Sequence, residues 1–180
     1  MNDIALELAK LHILRGVDFT RQLQLITQHK IFQPVKGENE IYSAINEHDE
    51  DYLALLNAAR RAVEHGFRVF ILPNPQEVRS ADFIFVRKGI YRLYDLKTIH
   101  GKSSVLNRLM ESVGQTNHIL LNMAVDYRGT ALARSIQKYF ERNTNAVQVL
   151  VFKGSKVLSV TRKTLEDRNF VTKFARLYYK

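Results

Sequence analysis

Asp82, Asp95 and Lys97 are the residues whose types and spacing could do chemistry. Asp95 and Lys97 stand two apart at the end of a β-rich run, Ile90-Tyr91-Arg92-Leu93-Tyr94. Side chains two apart on a strand share a face, about 7 Å from each other along it. Asp82 opens the preceding run, Phe83-Ile84-Phe85-Val86, and Arg87-Lys88-Gly89 punctuates the two. That pattern predicts a hairpin whose chain returns beside its own start, so that Asp82 and Asp95 meet at one end. Two carboxylates and an ammonium at the end of an apolar hairpin are costly unless something compensates them. A divalent cation would. Mg²⁺ (or Mn²⁺) takes hard oxygen ligands and commonly only one or two carboxylates, leaving its other positions to water and phosphate. Lys97 would then hold the attacking water or neutralise charge in the transition state. The competing reading of Asp-x-Lys is a solvated surface pair that contributes little.

The elements that must position these residues follow from hydrophobic spacing. Residues 3–15 carry Ile4, Leu8, Leu11 and Ile13-Leu14 at helical intervals, and a second helix is expected through Leu23, Leu25 and Ile26. Gln33 to Gly37 reads as a connector. The acidic run Glu47 to Asp51 suits a helix start, and a helix is expected from Asp51 to His65 with Leu53, Leu56, Ala59 and Val63 on one face. Phe67 to Leu72 reads as a short buried strand, and Pro73-Asn74-Pro75 breaks it. After Lys97 comes a loop, then a helix over 105–116 on which Asn107, Glu111 and Gln115 would share a face flanked by Arg108. A strand over 118–125, a helix over 130–141, a hairpin turning at Lys153-Gly154-Ser155-Lys156 and a last helix over 165–179 complete the chain. His100 and His118 read as loop or structural residues, since neither has a partner at ligand spacing.

Of the 180 residues 46 % are hydrophobic, enough for a sizeable core, and there is no cysteine, which excludes disulfides and thiolate metal sites. No run is long or apolar enough to cross a bilayer. The amino terminus, MNDIALELAK, has acids where a signal peptide needs base, so a soluble cytoplasmic protein with no membrane partner is expected. The net charge of +9 is unevenly placed. Residues 1–127 hold fifteen Lys/Arg and fifteen Asp/Glu, whereas residues 128–180 hold twelve against three, Glu141, Glu166 and Asp167. A basic third joined to a neutral body suggests a polyanion surface, the alternative being a solvated face that aids solubility. Arg134, Lys138, Lys153, Lys156, Arg162 and Lys163 would supply salt-sensitive contacts to phosphates, with Arg108 beside the site.

The expected order, helix, strand, strand, strand, helix, strand, with Ala81-Asp82 at the second strand and Asp95-Leu96-Lys97 ending the third, resembles the PD-(D/E)xK nuclease superfamily. Alanine stands where that family's motif has proline. The resemblance implies an α/β (α+β) restriction-endonuclease-like αβββαβ core with a mixed sheet. To this are added an N-terminal helical extension, residues 1–45, and a C-terminal β-hairpin plus helix within a nuclease-like domain, residues 46–180. It implies Mg²⁺ (or Mn²⁺) on Asp82 and Asp95, Lys97 as catalytic lysine, and a glutamine from the following helix, where Gln115 fits by position. It also implies a further acid from the helix before the first strand; Glu50, Asp51 and Glu64 are the choices. More narrowly, the run GFRVFILPNPQEVRSADFIF…YDLKT…GQTNHILLN, within residues 52–126, resembles the C-terminal nuclease domains of contact-dependent growth-inhibition toxins, several of which attack tRNA. The expectation is a metal-dependent endonuclease acting on tRNA or DNA. An inhibitor protein and a homodimer through the N-terminal helices are further partners left open. The rivals are a non-catalytic nucleic-acid-binding module, with Asp-x-Lys as an internal ion pair, and a metal-independent toxin-like ribonuclease using His100 with Lys97 and Lys102.

Overall fold

The computed structural model describes residues 3–101 and 104–180, and its fold is mixed α/β. Ser103 and Lys102 lie outside the described residues. The chain forms two compact units, Met1–Tyr94 and Asp95–Lys180.

In the first unit, α1 (Asp3–Ala9), a 3-10 turn (Lys10–His12) and α2 (Gly16–Thr27) bury Ile4, Ala5, Leu8, Leu11, Leu23 and Ile26 in one apolar cluster with Phe70, Ile84 and Leu93. Gln22 ties the two helices: its buried Nε2 donates to the Glu7 carbonyl at 3.0 Å and to Glu7 Oε2 at 2.6 Å. The segment read as a connector contains β1 (Gln33–Pro34), which pairs antiparallel with β2 (Ile41–Ser43). Both strands are too short to leave a period-2 signal, and the proline sits on the edge strand, where its missing N–H is tolerated. α3 (Tyr52–Glu64) buries Leu55, Leu56, Ala58, Ala59 and Ala62, so the apolar face is rotated from the expected one and Leu53 is 65 % exposed. The alanines decide this, because they let the helix lie close on its neighbours. Gly66 stops the helix at φ +87°, a conformation glycine adopts freely. β3 (Arg68–Ile71) pairs parallel with β2 and antiparallel with β4 (Phe83–Arg87), which forms the expected hairpin with the first half of β5 (Ile90–Ile99).

In the second unit, the later half of β5 pairs parallel with β6 (His118–Met123), β6 parallel with β7 (Gln148–Lys153), and β7 antiparallel with β8 (Lys156–Thr161). The middles of β6 (Ile119, Leu120, Leu121) and β7 (Val149, Leu150, Val151, Phe152) are apolar and buried on both faces, as interior parallel strands usually are. α4 (Val105–Met110), α5 (Gly129–Arg142), α6 (Arg162–Leu165) and α7 (Phe170–Tyr179) complete the unit. Val105, Leu109, Leu132, Ile136, Tyr139, Phe140, Phe174 and Tyr178 meet Ile119, Leu121, Val149 and Val151 in its core.

Two expected helices differ. The helix over 105–116 ends at Met110 in tight turns closed by Ser112 N–H to the Leu109 carbonyl, Val113 N–H to Met110 and Gln115 N–H to Ser112, and Gly114 follows at φ +87°. Val113, in these turns, is 40 % exposed. The helix over 165–179 is split. A capping box of Thr161 and Thr164 starts α6 three residues early, and Asp167 Oδ1 accepts from Asn169 N–H at 2.8 Å, a local turn that interrupts the spiral before Phe170. Among the described residues, no helix is long and apolar enough to cross a membrane.

Candidate active site

Asp95 begins the half of β5 that belongs to the second unit, opposite Ile119, and Lys97 stands opposite Leu121. Their shared strand face brings the two side chains together: Lys97 Nζ lies 3.1 Å from Asp95 Oδ2. Asp95 is 3 % exposed. The same Oδ2 accepts a 2.6 Å hydrogen bond from Ser112 Oγ, which is fully buried. Ser112 reaches it because α4 stops early; the turn after Met110 swings its hydroxyl toward β5. On the outer side, Lys97 Nζ is 3.9 Å from Glu111 Oε2, and that oxygen accepts from Arg108 Nη1 at 2.6 Å. A graded row results, from buried Ser112 and Asp95, through Lys97 with 14 % of its side chain exposed, to half-exposed Glu111 and Arg108. The carboxylate's field extends inward as well. Burial pushes the Tyr139 hydroxyl above its ordinary pKa and the Asp95 charge adds to that, while the Asn143 amide, donating at 3.1 Å, works the other way.

Asp82 leads into β4 in the first unit, half-buried, with its N–H bonded to the Tyr94 carbonyl at 3.0 Å and its own carbonyl accepting from Leu72 N–H at 2.8 Å. Gln115 is half-buried in the turns beyond α4, so it is not on a helix face with Asn107 and Glu111. Glu50 and Asp51 precede α3 and Glu64 is its last residue; all three are exposed. His100 is exposed in the loop after β5.

The basic residues of the last third divide by role. Arg134 and Lys138 are exposed on α5 and Arg142 continues them at the next i+4 position, giving one basic stripe; Lys163 is exposed on α6. Three others are engaged in the fold. Lys153 Nζ lies 3.7 Å from the Tyr178 ring centre, and both it and Lys156 Nζ reach the Tyr178 carbonyl, at 3.5 and 3.2 Å. Arg162 Nη2 donates to the Asn143 carbonyl at 2.8 Å, with its guanidinium over Phe140. These cations close the C-terminal ends of α7 and α5, where the helix dipole favours positive charge.

Ser112 escaped the sequence reading, because a lone serine at a helix end gives no signal for a partner seventeen positions away. Glu111 was visible, three residues after Arg108, but as a helix-face residue only. For a hard divalent cation the donor chemistry fits: the carboxylates of Asp95 and Glu111 already attend one cation, the Lys97 ammonium. Among the described residues, no three histidines, aspartates or glutamates gather as a ready-made metal cluster. Comparison of the chain with protein-family profiles, with characterised proteins and with solved structures finds no match.

Proposed function

We propose that this chain is a metal-dependent nuclease that hydrolyses phosphodiester bonds of tRNA or DNA, on a restriction-endonuclease-like core of the PD-(D/E)xK kind. The observation that carries the reading is the buried Asp95 carboxylate with Lys97 at 3.1 Å on the same strand face, within the element order helix, three strands, helix, strand. In this reading Asp95 is the carboxylate that holds Mg²⁺ or Mn²⁺. Bound there, the metal supplies Lewis-acid polarisation of a phosphate oxygen and a more acidic water. Lys97 neutralises the charge that gathers on the phosphoryl oxygens as the bond to the leaving oxygen breaks. Ser112 fixes the Asp95 carboxylate in one rotamer, so that its orientation does not have to be set during the reaction. Gln115 and Arg108 orient the nucleic-acid backbone, and the exposed cations of α5 and α6 add sequence-independent affinity.

A specific observation favours a second reading. The closed Lys97–Asp95 pair, further held by Ser112, is what a non-catalytic nucleic-acid-binding module would use as an internal ion pair.

One assay separates the two. The purified chain is incubated with plasmid DNA and with total tRNA, in Mg²⁺, Mn²⁺ or chelator, beside Lys97→Ala and the charge-preserving Lys97→Arg. Cleavage that needs metal and is lost in both variants is expected. Binding without cleavage in every metal supports the module; cleavage undiminished by chelator removes the metal from the reading.

A further inference from the structure

The first unit contains an open cleft of about 450 Å³ beside the β4–β5 turn, lined by Arg68, Arg87, Lys88, Tyr91, Phe67 and Glu40. Three cations face one carboxylate, and that carboxylate is taken: Arg68 Nε donates to Glu40 Oε2 at 2.6 Å. The Arg87 guanidinium is braced over the Phe67 ring, 4.4 Å from its centre. Tyr91, half-buried, adds a second aromatic wall. Backbone strain gathers here as well. Among the described residues, the non-glycine residues in the left-handed region are Glu40, φ +61°, and Lys88, φ +51°, and both line this cleft. Lys88 occupies the first central position of a two-residue hairpin turn with Gly89 at φ +75°. Such turns favour Asn, Asp or Gly at that position, so lysine is held there against preference.

We infer that this cleft is a binding site for a single-stranded nucleic-acid segment, with Arg68, Arg87 and Lys88 taking phosphates and Tyr91 stacking a base. Fixed cations beside aromatic rings in an open groove recognise flexible, base-exposing polyanions. The turn is only two residues long between paired strands, so the Lys88 backbone is placed without ordering a loop on binding. The first 127 residues are neutral in sum, and the cleft shows that their charge is nonetheless locally positive. The inference shares its ligand class with the nuclease reading and none of its chemistry.

The test is fluorescence anisotropy of a labelled single-stranded RNA of about 12 nucleotides, with the full chain in chelator and the RNA checked for integrity afterwards. Lys88→Gly is the informative variant, because glycine relieves the left-handed backbone while removing the charge. It is expected to melt at a higher temperature than the parent, to bind more weakly, and to lower the salt slope of binding by about 1. Glu40→Gln, which removes the competing carboxylate, is expected to tighten binding. Parent-like affinity and salt slope in Lys88→Gly would overturn the inference, as would an equal loss of affinity in that variant for a duplex of the same length. A chain that binds through this cleft but cuts nothing when Mg²⁺ or Mn²⁺ is supplied sinks the hydrolase reading alone.

Discussion

At the scale of single residues, Asp95 concentrates the energetics of the second unit. A carboxylate that is 3 % exposed needs compensation, and here it has an ammonium at 3.1 Å and a hydroxyl at 2.6 Å on one oxygen. Removing one member of a buried pair strands the other, at a cost of about 3–5 kcal/mol. Removing a hydrogen-bond donor from a buried acceptor costs less, about 1–3 kcal/mol. Lys97→Ala is therefore expected to destabilise the chain more than Ser112→Ala, both measured by urea unfolding at neutral pH. The Asp95→Ala/Lys97→Ala double variant should lose less than the sum of the singles, since the second change removes a charge that the first left unpaired. Additive losses would mean that the pair is solvated in solution. The Asp95–Lys97 pair was legible from spacing alone, because the period-2 rule fixes which side chains of a strand share a face. Ser112 was not, because its role depends on where a helix stops.

At the scale of elements, strands and their hairpins were read from the sequence more surely than helix ends. The β4–β5 and β7–β8 hairpins carry glycine turns between β-rich runs, and both formed where expected. The ends of α4 and the division of α6 from α7 depend on side chains that compete for the backbone, Asp167 among them, and on tertiary partners such as Asp95 for Ser112. Hydrophobic spacing does not encode those. The contact of α5 with α7 offers a direct test of packing. A Cβ on Gly129 would lie 3.1 Å from Tyr178 Cδ1 and Tyr179 Cε2 and 3.3 Å from the Ala175 Cα, and Gly129 N–H also donates to Tyr179 Oη at 2.8 Å. Alanine normally gains up to about 1 kcal/mol over glycine inside a helix. At the first residue of α5 that gain is smaller, and overpacking against a backbone atom costs about 1–3 kcal/mol. Gly129→Ala is thus expected to lower the urea midpoint; a raised midpoint would mean that α7 shifts freely.

At the scale of the whole molecule, ionisation sets limits that no single site reveals. Burial pushes the hydroxyls of Tyr94, in the first unit, and Tyr139, in the second, above the ordinary tyrosine value of 10.0. The folded chain keeps these protons where the unfolded chain gives them up. Their contribution to stability is complete below pH 10.0 and disappears as pH rises through the higher native values. Alkaline unfolding, followed by tyrosine absorbance and circular dichroism together, should therefore begin only above pH about 10, with the last part of the absorbance change coinciding with the loss of circular dichroism. Tyrosine ionisation completed before loss of secondary structure would contradict it. The excess positive charge was legible from composition, but its division of labour was not: Lys153, Lys156 and Arg162 hold helix ends, leaving Arg134, Lys138 and Lys163 among the exposed cations. The most direct measurement compares the parent and Asp95→Ala on one labelled tRNA or DNA substrate, with cleavage followed in Mg²⁺ and binding followed in chelator. Loss of cleavage with binding retained is expected of a metal-dependent nuclease centred on Asp95; equal cleavage by the two proteins would contradict it.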